Sequence, residues 1–234
     1  MPDDAFAPRD WDSHPPLIAP DYKSTRLRGP TQPLLRVGQG PGERSGPRFD
    51  AGQLDPLQAD LTRNGRVNGE PLGERIVLTG RVVDERGHPV PGTLVEIWQA
   101  NAAGRYVHTG DRHDAPLDPN FTGAGHAVTD GDGRYTFRSV KPGAYPWGNH
   151  HNAWRPNHIH VSVLGPALAT RLVTQMYFPG DPLLEHDPIF LATPAAARPR
   201  LIAEFSLDVT EPGIALGYVF DIVLRGGHAT PGEG

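Results

Sequence analysis

Hydrophobic and polar residues alternate with a period of two along most of the chain from residue 75 onward, and this pattern is typical of β-strands. Turn-forming residues separate the alternating segments, and no segment has the period of a convincing amphipathic helix. The pattern predicts seven short strands, at residues 75–84, 93–99, 133–140, 158–164, 171–178, 200–209 and 218–225. We therefore predict an all-β protein, an antiparallel β-sandwich.

The chain before the first predicted strand has a different character. Residues 1–72 are rich in Pro, Gly, Asp and Arg and show little periodicity, so we expect an irregular N-terminal arm there. Only Asp60-Leu61-Thr62 suggests a short helical turn within this arm. Residues 73–228 are expected to form the sandwich domain, and residues 229–234 a C-terminal tail.

One acidic, glycine-containing stretch has two interpretations. Asp130, Gly131, Asp132 and Gly133 resemble a calcium-binding loop, but the stretch lacks both the spacing and the terminal glutamate of such loops. Because it lies directly before an alternating segment, we predict a hairpin turn.

Composition narrows the class of protein. The chain has 28 glycines and 26 prolines among 234 residues, about twice average usage, which suits long loops and turns. A net charge of −5 without basic clusters argues against a nucleic-acid partner. No apolar run has transmembrane length, and the first residues lack the pattern of a signal peptide, so no membrane association is expected. The absence of cysteine excludes disulfides and fits a cytoplasmic protein.

The first candidate chemistry lies on the strand predicted at residues 158–164. Side chains alternate across a strand, so His158 and His160 point to one face, whereas Ile159 and Val161 point to the other. Two neighbouring imidazoles on one face suit a metal ion. The spacing alone leaves open a pair of structural histidines.

The common owners of a His-x-His pair fit this sequence badly. A cupin would have a glutamate about four residues later, and a His-x-His-x-Asp hydrolase would have an aspartate where Ser162 stands. No carboxylate follows before Asp181, which leaves no nearby acid for two histidines and one carboxylate to form a facial triad. The usual structural zinc site is excluded because the chain has no cysteine.

Two long loops bring one tyrosine each toward the same end of the predicted sandwich. Tyr106 lies in the loop at residues 100–129, and Tyr145 lies in the loop at residues 141–156. Long ordered loops on a sheet scaffold commonly carry functional sites. A lone tyrosine most often lies at the edge of a core, but both of these loops precede the histidine strand.

Four motifs in this order resemble the intradiol ring-cleaving dioxygenases: GRY at residues 104–106, AYPW at 144–147, WRPNHIH at 154–160 and TQMYFPGDP at 174–182. The arm adds HPP at residues 14–16 and YKST at 22–25, which look like the start of the iron-bearing β chains of this family. Related catechol and hydroxyquinol enzymes carry a helical N-terminal segment, and residues 1–72 show no helical pattern.

The resemblance implies an activity and a cofactor. The implied reaction is cleavage of protocatechuate with O2 to 3-carboxy-cis,cis-muconate, in the catabolism of aromatic compounds through the β-ketoadipate pathway. The implied cofactor is one non-haem Fe(III) per chain, held by Tyr106, Tyr145, His158 and His160. By the same resemblance, Tyr145 and His160 are the axial ligands, and Tyr145 leaves the iron when substrate binds.

The family also implies roles for residues around the iron. Tyr145, Arg155 and Gln175 fall on positions that take part in catalysis. The positions that line the substrate pocket are Tyr22, Trp147, Arg155 and Ile189. A second interpretation of Arg155 is a simple ion pair with a carboxylate near Trp154.

A partner chain and two alternatives complete the expectations. The resemblance implies a hetero-oligomer with an iron-free α chain of the same fold, whose residues would help to bind the ring carboxylate. One alternative is a catechol or hydroxyquinol intradiol dioxygenase. The other is a metal-free binding module, because residues 80–98 resemble the opening of transthyretin-like sandwiches.

Overall fold

A computed structural model describes residues 10–24, 32, 54–164 and 171–232. Much of the predicted arm, including Thr25 of the YKST motif, lies outside the described residues, as do the last two residues of the predicted tail. The described chain consists mostly of short strands in two main sheets.

The first sheet is built around β1 (Arg75–Val83). β4 (Arg134–Val140) pairs with one edge of β1 in the antiparallel direction. The other edge pairs in parallel with β10 (Leu216–Val219) and then with β11 (Ile222–Val223). β9 (Glu204–Phe205) lies antiparallel to β10 and ends the sheet.

The second sheet is wholly antiparallel and carries the histidine strand. Its order is β3 (Ala124–Val128), β2 (Leu94–Trp98), β7 (His158–Leu164) and β8 (Leu172–Tyr177). This order places β7 between two paired neighbours, so the positions of its side chains are fixed on both sides.

A small ribbon stands apart from the two main sheets. It pairs β5 (Tyr145–Pro146) with β6 (Trp154–Arg155), so that Tyr145 lies opposite Arg155. The ribbon lies within the long loop predicted at residues 141–156 and brings a candidate ligand and a candidate catalytic residue together.

Side chains from the facing surfaces of both main sheets form one hydrophobic core. Alternation is clear on β4, where Tyr135 and Phe137 are buried and Thr136 is exposed. On β7 the core residues are Ile159, Val161 and Val163, as the period of two predicted. The prediction of an all-β sandwich is therefore confirmed, and β7 has its apolar face toward the core.

The strand pairing differs from the prediction in one respect. β10 and β11 run parallel to β1, whereas we predicted an antiparallel sandwich. Alternation reveals which face a residue occupies, but it carries no information on the direction of the neighbouring strand.

Some predicted element boundaries also differ. The strand predicted at residues 200–209 contains only β9, because a 3₁₀ helix (Arg198–Leu201) occupies its start. The loop predicted at residues 100–129 contains β3, whose small residues gave little alternation. A Cβ at Gly125 would lie 2.2 Å from the carbonyl oxygen of Gln58, so glycine is needed in this strand for close packing.

The turn at residues 130–133 is present, but it connects the two sheets. Asp130 accepts backbone hydrogen bonds from Asp132 and Arg134 through its carboxylate, and Gly133 has a φ of +73°. The turn joins β3 of the second sheet to β4 of the first, so it is not a hairpin within one sheet.

The segment before β1 already belongs to the packed structure. A 3₁₀ helix (Pro56–Ala59) precedes Leu61, which is fully buried in the core and donates its backbone N–H to the Arg138 carbonyl. This helix lies just before the turn expected at residues 60–62. At the other end of the chain, Gly232 donates its N–H to His14 of the arm.

The described helices are short. They are α1 (Pro188–Ala192) and 3₁₀ helices at Trp11–Ser13, Pro56–Ala59, Pro182–His186 and Arg198–Leu201. In the part of the chain that the structure describes, no helix has the length and apolar character of a membrane span.

Candidate active site

The two histidines of β7 lie side by side on the face opposite the core. Their ring centroids are 4.9 Å apart. Nδ1 of His158 lies 2.6 Å from the Pro156 carbonyl oxygen, which only accepts hydrogen bonds, so Nδ1 carries the proton. His158 is therefore oriented with the lone pair of Nε2 available to a ligand, the arrangement that metal-binding histidines adopt.

The environment of His158 keeps its ring neutral. Burial lowers the pKa of His158 well below its ordinary value, and electrostatic repulsion from Arg155 and from His160 acts in the same direction. A neutral imidazole is the form that binds a metal ion, because the protonated ring has no free lone pair.

A row of side chains across three strands holds His160. Trp98 of β2 and Gln175 of β8 are its paired neighbours on either side. The rings of Trp98 and His160 stack with centroids 4.9 Å apart and an angle of 2° between their planes. Tyr177 stands opposite His158 in the same way, so β8 adds two polar side chains to this face.

Close backbone contact between two loops brings the tyrosines toward the histidines. Gly104 has a φ of +79°, and a Cβ there would lie 2.3 Å from the carbonyl oxygen of Ala144. Gly143 donates its N–H to the Asn101 carbonyl at 2.9 Å. As a result, the rings of Tyr106 and Tyr145 meet edge to face at 5.3 Å.

The hydroxyl of Tyr106 is buried beside the hydroxyl of Tyr145. Its oxygen has no hydrogen-bond partner of regular geometry within the described residues. Burial raises the pKa of Tyr106 well above 10.0, and the neighbouring Tyr145 raises it further. A buried hydroxyl without a well-formed hydrogen bond is unfavourable unless something else binds it.

Tyr145 completes the set of four donor side chains. Its hydroxyl lies 3.4 Å from Nε2 of His158, and burial raises its pKa although Arg155 opposes this shift. Without a nearby cation, neither buried phenol would ionise at neutral pH.

The donor set fits a hard, highly charged cation. Two imidazoles and two phenols that need a cation in order to ionise match the ligand types of a ferric site. The described residues contain no group of three or more His, Cys, Asp or Glu side chains arranged to hold a metal ion. The four candidate donors do not form such a group, because two of them are tyrosines.

Arg155 lies in a buried polar network beside these four residues. Its guanidinium contacts the side-chain oxygen of Gln175, and its Nε lies 3.1 Å from Oδ1 of Asp187. Nη2 donates to Oδ2 of Asp187 at 3.2 Å, and the Tyr177 hydroxyl donates to Gln175 at 2.9 Å. The predicted ion pair of Arg155 therefore exists, but with Asp187 instead of a carboxylate near Trp154.

Trp147 is in contact with two other candidate pocket residues, Arg155 and Tyr22. The Arg155 guanidinium lies 5.4 Å from the ring centroid of Trp147, and the Tyr22 ring lies 5.4 Å from the same ring. Asn149 fixes the segment around Tyr22, because it accepts from the Lys23 N–H and donates to the Asp21 carbonyl at 2.9 Å.

Six of the candidate residues line two cavities, whereas Arg155, His158 and His160 line neither. A cleft of about 950 Å³ is lined by Trp98, Tyr106, Tyr145 and Trp147, among others. Tyr22, Gln175 and Ile189 instead line a small cavity of about 20 Å³ beside it. The Tyr22–Trp147 contact connects the two, so Ile189 is the candidate that lies least directly at the cleft.

Four residues of this site were not among the predicted candidates: Trp98, Asn149, Tyr177 and Asp187. Trp98 and Tyr177 follow from strand register, once the order of the second sheet is known. Asp187 lies 32 residues after Arg155, and its one sequence signal is the Asp-Pro start of a helix.

Two family models match the chain. The model described as "Dioxygenase" matches residues 44–226, and the model described as "Protocatechuate 3,4-dioxygenase beta subunit N terminal" matches residues 7–39. The first match covers most of the chain and includes every candidate site residue except Tyr22, which lies in the second.

Relatives and solved structures agree with these matches. The protocatechuate 3,4-dioxygenase beta chain of Burkholderia cepacia is 65% identical over 228 residues, which cover 97% of each chain. The hydroxyquinol 1,2-dioxygenase of Rhizobium sp. (strain MTP-10005) is 33% identical over 71% of this chain and 57% of that one. The structure of 3-chlorocatechol 1,2-dioxygenase from Rhodococcus opacus 1CP matches with a TM-score of 0.56 and 26% identity, over 76% of this chain and 70% of that chain. As its motifs predicted, the chain belongs to the intradiol dioxygenase family.

Proposed function

We propose that this chain is the β chain of a protocatechuate 3,4-dioxygenase, which cleaves protocatechuate with O2 to 3-carboxy-cis,cis-muconate. The relative of that name from Burkholderia cepacia supports the substrate, because it matches this chain over 97% of both lengths. The reaction belongs to the catabolism of aromatic compounds through the β-ketoadipate pathway. The observation that carries the proposal is the meeting of two phenols and two imidazoles at one end of the second sheet.

The cofactor of this proposal is one non-haem Fe(III). Family membership implies a non-haem iron. We propose that Tyr106, Tyr145, His158 and His160 hold it, because their donor atoms are the ones that a ferric ion prefers. When bound, ferric iron would withdraw electron density from a catechol-type ring and activate that ring toward O2.

The chain's own residues bind the ring and move its protons. An ionised Tyr145 is a base that accepts one proton from a substrate hydroxyl as the substrate binds. Arg155 is buried and stays charged, so it stabilises negative charge that develops on the ring. Gln175 contacts Arg155, and Trp147 lines the cleft that would hold the ring. Tyr22 contacts Trp147, and we propose that Tyr22 and Ile189 close the pocket on the side of the smaller cavity.

A second chain is part of the proposal. We propose that this chain pairs with an iron-free α chain of the same fold in a cytoplasmic hetero-oligomer. The relative's designation as a beta chain supports a partner, and the match of residues 7–39 to the beta-subunit N-terminal model supports an arm that contacts it. The lack of cysteine fits a cytoplasmic location. In this assembly, residues 1–72 form the arm and residues 73–228 the catalytic sandwich.

Purification with the α chain tests the function directly. The expected protein contains one iron per β chain and none in the α chain, is red from phenolate-to-iron charge transfer, and consumes one O2 for each protocatechuate converted to 3-carboxy-cis,cis-muconate. Iron analysis, visible absorbance and chromatography of the product check these points. A protein that stays colourless and inactive after iron is supplied contradicts the proposal. If unsubstituted catechol or hydroxyquinol is cleaved faster than protocatechuate, only the proposed substrate is wrong.

Tyr145→Phe tests the proposed role of that residue as a base. The variant should retain part of its iron but form the complex with protocatechuate more slowly under anaerobic conditions, since one proton acceptor is gone. Tyr135→Phe is the matched control, because the Tyr135 hydroxyl donates to the Phe220 carbonyl in the core. Unchanged binding kinetics in Tyr145→Phe would exclude Tyr145 as the base.

A further inference from the structure

Asp187 is a fully buried carboxylate beside the candidate active site. It is 0% exposed, and its charge faces Arg155, which is 3% exposed. Oδ1 lies 3.1 Å from Nε of Arg155, and Oδ2 accepts from Nη2 at 3.2 Å. Both carboxylate oxygens therefore contact the guanidinium, Oδ1 as an ion pair at Nε and Oδ2 as a hydrogen-bond acceptor from Nη2, and together these contacts restrict the orientation of the guanidinium.

The same carboxylate also begins α1. Oδ1 accepts the backbone N–H of Ile189 at 3.3 Å, so Asp187 is the N-cap of the helix that carries a candidate pocket wall. The buried side chain of Asp187 therefore contacts both the guanidinium of Arg155 and the backbone of Ile189.

Tyr177 extends this support on the side of β8. Its hydroxyl lies 3.4 Å from Oδ2 of Asp187 and donates to Gln175 at 2.9 Å. Gln175 in turn contacts the guanidinium of Arg155. The guanidinium is held from two directions, by Asp187 from α1 and by Gln175 from β8.

Burying an ion pair is costly, and apolar residues of similar size would give comparable stability. A buried arginine that faces a reaction site nevertheless requires a fixed orientation, because misplacement of a charged group by about 1 Å is enough to lose much of its effect. The carboxylate also balances most of the arginine's charge, so the guanidinium can remain buried when no substrate is present.

We propose that Asp187, with Tyr177, is a positioning residue: it orients Arg155 toward the substrate ring and, through the cap of α1, sets the wall formed by Ile189. This proposal rests on the proposed function, because it assigns Arg155 a role in ring cleavage. The structure separates the two tasks of Asp187, since the ion pair requires its charge and the cap requires only an oxygen atom.

Two substitutions at this position distinguish the tasks. Asp187→Asn keeps an oxygen for the cap but removes the charge, so kcat for protocatechuate should fall by on the order of 10–100-fold with a much smaller change in KM. Asp187→Ala removes both groups and should also raise KM, because Ile189 loses its anchor. Iron content and anaerobic binding of protocatechuate, measured by calorimetry, should be retained in Asp187→Asn.

A double-mutant cycle with Arg155→Met decides whether Asp187 acts through Arg155. If it does, Asp187→Asn should lower kcat strongly in the wild-type background and have little further effect in Arg155→Met. Tyr177→Phe keeps the ion pair and should show the same dependence on Arg155, so it decides the question if Asp187→Asn does not fold. Additive losses in both cycles would overturn the proposal.

The control is Asp55→Asn, which changes an equivalent Asp-Pro cap on the 3₁₀ helix at Pro56–Ala59. Its carboxylate accepts from the Leu57 N–H and belongs to no contact of the candidate site, so kcat should be unchanged. A wild-type protein without iron-dependent cleavage would overturn the proposed function. If the wild type is fully active but the losses in the double-mutant cycles are additive, only the role of Asp187 is overturned.

Discussion

Gly104 packs against Ala144 so closely that a Cβ at position 104 would lie 2.3 Å from the Ala144 carbonyl oxygen. Gly104 lies two residues before Tyr106, and Ala144 lies directly before Tyr145. The backbone contact therefore sets the distance between the two phenols. Because a side chain would separate the loops, glycine at this position is a requirement of the site as well as of the turn.

The first prediction concerns Gly104→Ala. The substitution should disrupt the site, since alanine is strained at a φ of +79° and its Cβ would collide with backbone. We expect a loss of about 1–3 kcal/mol in the free energy of unfolding from the backbone conformation alone. Displacement of Tyr106 should also lower iron content. Urea unfolding and iron analysis measure the two effects.

Gly92→Ala separates strain from collision. Gly92 also has a positive φ, +68°, but a Cβ there would meet nothing within 4 Å. This variant should lose stability and keep its full iron content. If Gly104→Ala keeps its iron as well as Gly92→Ala does, the contact with Ala144 does not set the position of Tyr106.

The second prediction concerns the histidines. His160→Ala should abolish iron binding, because the remaining three donors leave one side of the proposed site open and Trp98 loses its stacking partner. His126→Ala is the matched control, since His126 lies on β3 of the same sheet and pairs with Glu96 in register. Iron analysis of both purified variants is the measurement. Equal iron content in the two proteins would exclude His160 as a ligand.

The sequence could predict the faces of the strands but not their neighbours. The period of two placed Ile159 in the core and His158 on the opposite face, which the structure confirms. The alternation of side chains does not reveal which residues of neighbouring strands are paired. It therefore could not predict that Trp98, His160 and Gln175 lie in one row across the sheet. The order of the two loops before the histidine strand suggested that the tyrosines lie at one end of the sandwich, but their role as candidate ligands came from the family motifs.

The polar residues behind the site were harder to predict for a physical reason. Asp187 and Arg155 meet across 32 residues of chain, and only the folded positions of β6 and α1 bring them together. Short elements such as β9 and β11 were likewise predicted as longer strands, since two paired residues are set by tertiary contacts more than by local preference.

The third prediction concerns Asn149, whose amide holds both backbone neighbours of Tyr22. Asn149→Ala removes both hydrogen bonds, so the segment should become mobile and Tyr22 should lose its contact with Trp147. We expect KM for protocatechuate to rise more than kcat falls, because Tyr22 contributes to binding and not to proton transfer. Steady-state kinetics with protocatechuate measure this.

Asn120→Ala is a suitable control for loss of a buried amide. Asn120 accepts backbone N–H groups of Val67, Asn68 and Gly69, and so holds a loop in a comparable way without contact with the candidate site. It should lower the free energy of unfolding and leave KM unchanged. A similar rise of KM in both variants would attribute the effect to general loosening of the fold.

The last prediction concerns the partner chain. The described part of the arm exposes Trp11 by 54% and Ile18 by 60%, although Gly232 donates a hydrogen bond to His14 of the same segment. Exposed apolar side chains on an anchored segment are expected to be covered in an assembly. Expressed alone, the chain should therefore be poorly soluble or nearly inactive, and co-expression with an α chain should restore activity and yield a larger particle in light scattering. Ile18→Ser should weaken this association, whereas Leu207→Ser, at a position of the sandwich domain that is 75% exposed, should not. Full activity of a homo-oligomer would refute the partner while leaving the iron site intact.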